Sequence, residues 1–304
     1  MGKMRWNVLI ADEFSESHLN KFHNKKFCLT YKPGISNDEI LSGFGNTDVL
    51  IIKSTRKINP DFVRKLSPDC IATVSRGVDH IDLRGLTRNK PKVIHCESGN
   101  AISTAEHTIG LIMAVMKNYK LSFELAKSEF VNSAFSRNEI SGKVIGIIGF
   151  GKVGQLVYRY SEVFGMNRMV NELSAKVRKE NPGVYFVSLN KLLLTADIVT
   201  IHIPLNNRNR RFFDRQQFAL MRPDSILINT SRGEVINEKL LIKSLTNGNI
   251  KAAGIDVVCN EPFPEQSLFN VKNLTITNHI AGKTTESKLR MEKEIVNQVL
   301  AFCE

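Results

Sequence analysis

The 304-residue sequence lacks any apolar run approaching the roughly 20 residues that a membrane span requires. Its start, MGKMRWNVLIAD, runs straight into a strand pattern without a small-residue cleavage site, so no signal peptide is expected. Trp6 stands where a myristoylation signal needs Ser or Thr. Cysteine is sparse: Cys28, Cys70, Cys96, Cys259 and Cys303 are odd in number, scattered and never paired as C-x-x-C. That usage argues against a disulfide frame and predicts reduced thiols in a cytoplasmic protein. His18 with His23, and His95 with Cys96, lack the further ligands zinc requires, so no metal site is expected. The G-x-S-x-G turn of a serine nucleophile is absent. No helix-turn-helix, zinc-finger or stacking-aromatic pattern accompanies the positive charge, so nucleic acid is not an expected partner.

What is present is an ordinary globular composition, 42% hydrophobic and 24% charged, long enough for two α/β domains. The net charge of +12 is spread along the chain apart from Arg208, Arg210 and Arg211. It reads mostly as solubility, with a small anionic substrate as a secondary inference.

The chain is organised around residues 143–165, KVIGIIGFGKVGQLVYRYSEVFG. Val144, Ile145, Gly146, Ile147 and Ile148 predict a short strand buried on both faces. Leu156, Val157, Tyr160, Val163 and Phe164 recur at helical spacing. Between them lies Gly149-Phe150-Gly151-Lys152-Val153-Gly154. Strand, G-x-G-x-x-G, helix is the dinucleotide-binding fingerprint. Gly149 permits a tight turn, Gly151 lets the backbone approach a pyrophosphate, and Gly154 lets helix and strand pack closely. The helix start offers N–H groups and a positive dipole end to that anion. The flanking elements lift the motif above a plain glycine-rich turn. Residues 168–171 predict the next strand, and Glu172 at its end can accept the adenosine ribose hydroxyls while repelling a 2′-phosphate. That favours NAD over NADP, although Arg168 and Lys176 nearby pull the other way.

Elsewhere the pattern alternates. Strands are expected over 7–11, 27–31, 49–52, 71–74 and 93–95, with helices over 15–22, 37–41 and 60–66. Beyond the fingerprint, strands are expected over 198–203, 225–229, 252–257 and 274–277, with helices over 216–221 and 238–247. Such alternation means parallel sheets covered by helices. The expected architecture is α/β: two doubly wound parallel-sheet domains, one of them a Rossmann NAD-binding domain. Residues 105–116 form a strongly apolar helix, expected to lie between domains or in a subunit interface. The stretch 127–141 is polar and irregular and carries no assigned element. Helical spacing over 286–302 predicts a tail that packs back on the first section.

Ligands in open α/β sheets sit beyond the carboxyl ends of strands, which places Arg232, Asp256 and His279 together. Hydride transfer to a carbonyl needs a cation to hold and polarise the substrate, and the planar fork of Arg232 can bind a carboxylate bidentately. It needs an acid, and His279 works in both directions near neutrality. A nearby carboxylate such as Glu261 stabilises imidazolium and selects the ring tautomer. Taken singly, each is an ordinary loop residue; their convergence gives them weight.

These residues fall in a series of motifs: RGVDHIDL (76–83), NAISTAEHTIGLIMA (100–114), GFGKVG, ADIVTIHIPL (196–205), ALMRPDSILINTSRGEVIN (219–237), AAGIDVVCNEP (252–262) and NHIAGKT (278–284). In that order they resemble the D-isomer-specific 2-hydroxyacid dehydrogenases, over most of the chain. The resemblance implies a flavodoxin-like substrate-binding domain formed by 1–99 with 283–304, and an inserted NAD-binding Rossmann domain formed by 100–282. It implies that Arg232 orients the substrate, that His279 donates the proton and that Glu261 is coupled to His279. Backbone amides around Ser75, Arg76, Gly77 and Val78 would bind the substrate carboxylate. Thr104 and Asp256 would contact the nicotinamide side of NAD, and Lys152 and Val153 would offer amides to its pyrophosphate. His202, Pro204, Thr230 and Gly282 complete the implied cofactor set, and Glu172 takes the place of the usual ribose-binding Asp. Homodimers through the segment after residue 100 are implied too. The chain departs from the family pattern at Asn237, where Asp is usual, and in lacking over 127–141 the tryptophan common before the fingerprint, its only Trp being Trp6. Arg76 adds a cation to the substrate loop, which suggests a second anionic group on the substrate, as in 3-phosphoglycerate or phosphohydroxypyruvate. Rival readings are a non-catalytic NAD(H)-sensing, corepressor-like protein, and a reductase of a different anionic substrate.

Overall fold

The structure, a computed structural model, describes residues 5–86, 90–127 and 137–304. Residues 128–136, the middle of the polar stretch over 127–141, lie outside the described residues. The chain divides into two compact units, Met1–Asn100 with Thr284–Glu304, and Ala101–Lys283.

The first unit contains β1 (Trp6–Ile10), α1 (Glu16–Leu19, continued by a 3-10 turn over Asn20–Phe22), β2 (Phe27–Tyr31) and α2 (Asn37–Gly43). It goes on with β3 (Val49–Ile52), α3 (Pro60–Leu66), β4 (Cys70–Thr73) and β5 (Lys92–His95). All strands pair in parallel, in the order β2-β1-β3-β4-β5, which is the flavodoxin-like order. Successive strand residues face opposite sides. Val8, Ile10, Val49, Ile51 and Ala72 enter one core with Phe14 and Phe22, while Leu9, Leu50, Ile52 and Ile71 enter the other with Phe62 and Leu66. Each fully buried Val, Leu or Ile among them contributes about 1.5–3 kcal/mol. Helix starts carry local signals: Ser36 and Glu39 form a reciprocal capping box on α2, and Asn59 caps α3 with Pro60 in its first turn.

The second unit contains α4 (Ala101–Met116), α5 (Tyr119–Leu125), β6 (Val144–Ile148), α6 (Lys152–Val163), β7 (Asn167–Asn171), α7 (Ala175–Glu180) and α8 (Leu189–Thr195). It continues with β8 (Ile198–Ile201), α9 (Arg215–Leu220), β9 (Ile226–Asn229), α10 (Glu238–Thr246), β10 (Ala252–Ile255) and β11 (Leu274–Ile276). Its six strands are ordered β11-β10-β9-β8-β6-β7, all parallel. A parallel bridge joins Val170 to Phe186 outside β7, with Val170 N–H donating to Tyr185 O at 3.0 Å and Val187 N–H to Val170 O at 2.9 Å. Counting that bridge as a vestigial strand gives the Rossmann order 3-2-1-4-5-6 extended by β11 as a seventh strand, with its switch point between β6 and β8. One face is covered by α8, α9 and α10, the other by α4 and α6. The apolar helix expected between domains or in an interface buries one side, Ala105, Ile109 and Ile112 among it, against α6 and strands β9 to β11 of its own unit. Asn237, where Asp was the pattern, caps α10 by accepting from Leu240 N–H at 3.4 Å.

α11 (Thr285–Phe302) belongs to the first unit, where Ile295, Val296 and Val299 join the core beside β4, β5 and α1. Its Glu292 is fully buried, and Oε2 accepts the Ser15 N–H at 3.0 Å and contacts His18 Nδ1 at 3.1 Å. That carboxylate serves the start of α1, where the Ser15 side chain makes no cap. Among the described residues no helix is long and apolar enough to cross a membrane, and no cluster of His, Cys, Asp and Glu could hold a metal ion. All five cysteines are free thiols.

Candidate active site

Every loop that carries a candidate residue of the second unit follows the carboxyl end of a strand. After β6 the chain turns through Gly149, whose φ of +92° lies in the left-handed region that side chains resist. A Cβ there would also stand 2.8 Å from the His202 carbonyl oxygen. Gly151 is the N-cap of α6 and no side chain caps that helix, so first-turn N–H groups such as those of Lys152 and Val153 suit an outside acceptor. A Cβ on Gly154 would collide with the Gly149 carbonyl, so loop and helix pack backbone on backbone. Phe150 anchors the loop from within, edge-on to Tyr158 and Phe186 at 5.5 and 5.7 Å.

Glu172, just past β7, reaches back to this loop. Its Oε2 accepts the Phe150 N–H at 2.8 Å and its Oε1 the Ser174 N–H at 2.7 Å. Amides on both sides therefore hold the carboxylate in place. Across the switch point, after β8, His202 donates its backbone N–H to Ile148 O at 2.8 Å, and its Nε2 lies 2.9 Å from Thr200 Oγ1. The Pro204 carbonyl accepts Asn209 Nδ2–H at 2.9 Å. An uncapped helix start, a glycine cradle and a fixed carboxylate one strand away fit a dinucleotide.

Arg232, Asp256 and His279 follow the adjacent strands β9, β10 and β11. Gly233 lies so close to Val258 and Cys259 that a Cβ would clash with their backbone, which binds the Arg232 turn to the loop bearing Glu261. Glu261 Oε2 meets His279 Nδ1 at 2.6 Å, and Glu261 Oε1 accepts the Val258 N–H at 3.2 Å. Burial raises the Glu261 carboxyl. The His279 hydrogen bond and charge, the Val258 amide and the Arg232 charge outweigh burial, and the group titrates below its ordinary 4.5. In the neutral ring such a carboxylate selects the Nδ1–H tautomer, leaving Nε2 to exchange a proton.

His279 itself adopts φ +55°, a conformation uncommon for a side-chain-bearing residue. Asp256 holds it there. The Asp256 carbonyl accepts the His279 N–H at 2.8 Å, and its carboxylate accepts the N–H groups of Ile280 and Ala281, both at 2.9 Å. Thr277 Oγ1–H adds a bond of 2.6 Å, and His107 Nε2 stands 3.4 Å away. Burial raises the Asp256 carboxyl, but His107, Thr277 and the two amides together bring it below its ordinary 3.8.

Helix α4 contributes a polar row that the sequence pattern hides. Ser103 Oγ–H donates to Ala281 O at 2.6 Å, His107 Nε2 lies 3.1 Å from Thr277 Oγ1, and Thr108 Oγ1 lies 2.9 Å from Thr230 Oγ1. Thr104, its neighbour in that row, is buried, and its carbonyl accepts the Thr108 hydroxyl at 2.8 Å. Polar residues at i, i+4 and i+5 of an otherwise apolar helix are the signal that could have found them. Gly282 closes the loop after Ala281, half-buried. Ser75, Arg76, Gly77 and Val78 lie in the first unit, in the loop after β4, with Arg76 and Val78 exposed.

A Rossmann sheet whose carboxyl edge presents a glycine cradle and a paired histidine and glutamate defines a dinucleotide-binding α/β protein. Residues 109–281, more than half of the chain, match the family model described as D-isomer specific 2-hydroxyacid dehydrogenase, NAD binding domain. The chain belongs to that family. It is 32% identical over 270 residues to the D-3-phosphoglycerate dehydrogenase of Methanocaldococcus jannaschii, a match covering 88% of this chain and 52% of that one. It is 28% identical over 300 residues to the hydroxypyruvate reductase of Thermotoga maritima, covering 97% of both. A crystal structure of a Thermus thermophilus protein superposes with a TM-score of 0.85 at 26% identity, over 97% of this chain and 96% of that one. The chain spans about half the length of the phosphoglycerate dehydrogenases it matches.

Proposed function

We propose that this chain is an NAD-dependent oxidoreductase that interconverts a 2-oxo acid and a D-2-hydroxy acid. The observation that carries the reading is the 2.6 Å contact between His279 Nδ1 and Glu261 Oε2, with the Arg232 charge acting on the same carboxylate. It stands at the edge of the sheet that bears the dinucleotide loop. When bound, NADH supplies the hydride that the carbonyl carbon accepts. Arg232 holds the substrate's carboxylate and carbonyl in one plane, its fork matching both oxygens. His279 Nε2–H delivers a proton to the oxygen as negative charge develops on it, and Glu261 stabilises the cationic ring that gives up that proton. In the oxidative direction the same nitrogen removes the hydroxyl proton. The amides at Ser75, Arg76, Gly77 and Val78 bind the substrate carboxylate, and Thr104, Thr230, Asp256 and Gly282 serve the nicotinamide end.

Arg76 favours a substrate with a second anionic group, a phosphate or a carboxylate. Exposed apolar side chains on α4 and α5, Ile102, Tyr119 and Phe123, suit a homodimer contact, and the five free thiols suit the cytoplasm. The test is NADH and NADPH oxidation across a panel running from glyoxylate, pyruvate and hydroxypyruvate to phosphohydroxypyruvate and branched-chain 2-oxo acids. Turnover with NADH that vanishes in His279→Ala supports the reading; silence across the panel refutes it. Arg76→Ala is expected to lose more activity on dianionic than on monoanionic members, and equal losses would remove Arg76 from specificity.

A further inference from the structure

Under the loop that follows β4, four polar groups of the first unit stand in line. Thr73 is fully buried, and its Oγ1 lies 2.9 Å from His80 Nε2 and 2.9 Å from Ser75 Oγ. Ser75 Oγ in turn lies 2.8 Å from the Gly77 carbonyl oxygen. A carbonyl only accepts and a hydroxyl has one hydrogen, so the last link sets the direction of all the others. Ser75 Oγ–H donates to Gly77 O, Thr73 Oγ1–H donates to Ser75 Oγ, and His80 Nε2–H donates to Thr73 Oγ1. One tautomer of His80 and one rotor of each hydroxyl satisfy the whole chain.

Backbone bonds hold the flanks. Cys96 N–H donates to Ser75 O at 2.9 Å, Ile58 N–H to His80 O at 2.8 Å, and Ile81 N–H to Val78 O at 2.9 Å. The side-chain relay governs what lies between. Because the peptide unit is planar and trans, its C=O and N–H point in opposite directions. Pinning the Gly77 carbonyl onto Ser75 Oγ therefore turns the Val78 N–H away from Ser75, to the opposite edge of the same peptide plane.

We infer that Thr73 and His80 are positioning residues for an anion-binding loop. Their relay fixes the Gly77–Val78 peptide so that its N–H is held ready for the carboxylate of the substrate. Neither residue touches that anion; both act through Ser75 and Gly77. The identity of the anion as a 2-oxo acid rests on the dehydrogenase reading above, whereas the relay rests on the hydrogen bonds alone.

The experiment compares full-length Thr73→Val, Thr73→Ser, His80→Phe and His80→Gln with the unaltered chain. The quantities read are KM for glyoxylate and hydroxypyruvate, KM for NADH, kcat, Tm, and the affinity for oxalate by calorimetry. Oxalate is an unreactive dianion whose carboxylate can occupy the same loop. Val and Phe fill the space and break the relay, while Ser restores the hydroxyl and Gln brings an amide N–H to the place of Nε2. Breaking the relay is expected to raise the 2-oxo acid KM about tenfold and to weaken oxalate about tenfold, the effect of losing one aligned hydrogen bond. KM for NADH is expected to stay within about twofold, and Ser and Gln to return within about threefold of the unaltered chain. Unchanged KM and oxalate affinity in Thr73→Val overturn the inference, as does an equal loss in Thr73→Ser. So does a loss of NADH affinity in step with Tm, since that assigns Thr73 to packing alone. If the unaltered chain reduces no 2-oxo acid, the dehydrogenase reading is what fails. The relay is then judged on oxalate: tighter binding in Ser than in Val supports it, and equal or absent binding overturns it.

Discussion

Replacing Glu261 by Gln removes one charge and almost no volume, and so isolates what the carboxylate does for His279. The 2.6 Å contact to Nδ1 is a charge-assisted hydrogen bond, a class that contributes about 1.5–3 kcal/mol. Both side chains are more than a third exposed, at 39% and 36%, so solvent screens the pair and the lower end applies. A loss of about 1.5 kcal/mol in the transition state corresponds to roughly tenfold in kcat. The amide oxygen of Gln still accepts from Nδ1–H, so Tm is expected to stay within about 2 °C. The sign of the pH dependence follows from the lowered Glu261 carboxyl. Its contribution is fully present above the ordinary 4.5 and is lost as pH falls through the lower value it has in the folded chain. Steady-state reduction of a 2-oxo acid from pH 4 upward, with Tm measured in parallel, reads both effects. An undiminished kcat in Glu261→Gln, or a fall that merely follows Tm, would refute the role given to this carboxylate.

Glu172→Ala releases the amides of Phe150 and Ser174 and removes the charge that opposes a 2′-phosphate. KM for NADH is expected to rise about tenfold while the preference over NADPH shrinks, measured as the ratio of kcat/KM values. Gly154→Ala drives a Cβ into the Gly149 carbonyl; a cost of about 1–3 kcal/mol in thermal unfolding and loss of NADH fluorescence enhancement are expected. Asp256→Asn sets an amide NH2 among groups that donate to the carboxylate, at a cost of about 3 kcal/mol and a Tm lower by roughly 6–12 °C. Because its carboxyl titrates below 3.8, the unaltered chain keeps this contribution above that pH and loses it as pH falls through the lowered value. The gap in Tm between Asn variant and unaltered chain is therefore expected to hold above pH 3.8 and to narrow below it.

The strands and the dinucleotide loop were legible because their causes are local. Short apolar runs such as Val49–Ile52 are buried on both faces, and a left-handed Gly149 needs no distant partner to be recognised. The order of chemistry-bearing residues was legible too, since Arg232, Asp256 and His279 each follow a readable strand. What was hidden depends on tertiary approach. α8 is a short apolar run capped by Ser188, with Leu192 and Leu193 fully buried, and its length alone does not separate helix from strand. The third strand of the Rossmann order has shrunk to a bridge at Phe186, leaving no period to detect. Glu172 was read as an acceptor for ribose, and nothing in its neighbours shows that two backbone amides already meet it. Ser103 and His107 work through hydrogen bonds to Ala281 and Thr277, residues brought near only by folding, and the Thr73–His80 contact depends on the path of the loop between them.

On the proposed function a hydride passes from the nicotinamide to the carbonyl carbon of a 2-oxo acid while His279 protonates the oxygen. The most direct measurement is mass spectrometry and chiral separation of the 2-hydroxy acid formed from NADH deuterated at the transferring position of C4. Deuterium at C2 of a D-configured product, with none formed by His279→Ala, is the predicted result. Product without the label, product of the L configuration, or equal product from the variant would contradict the account.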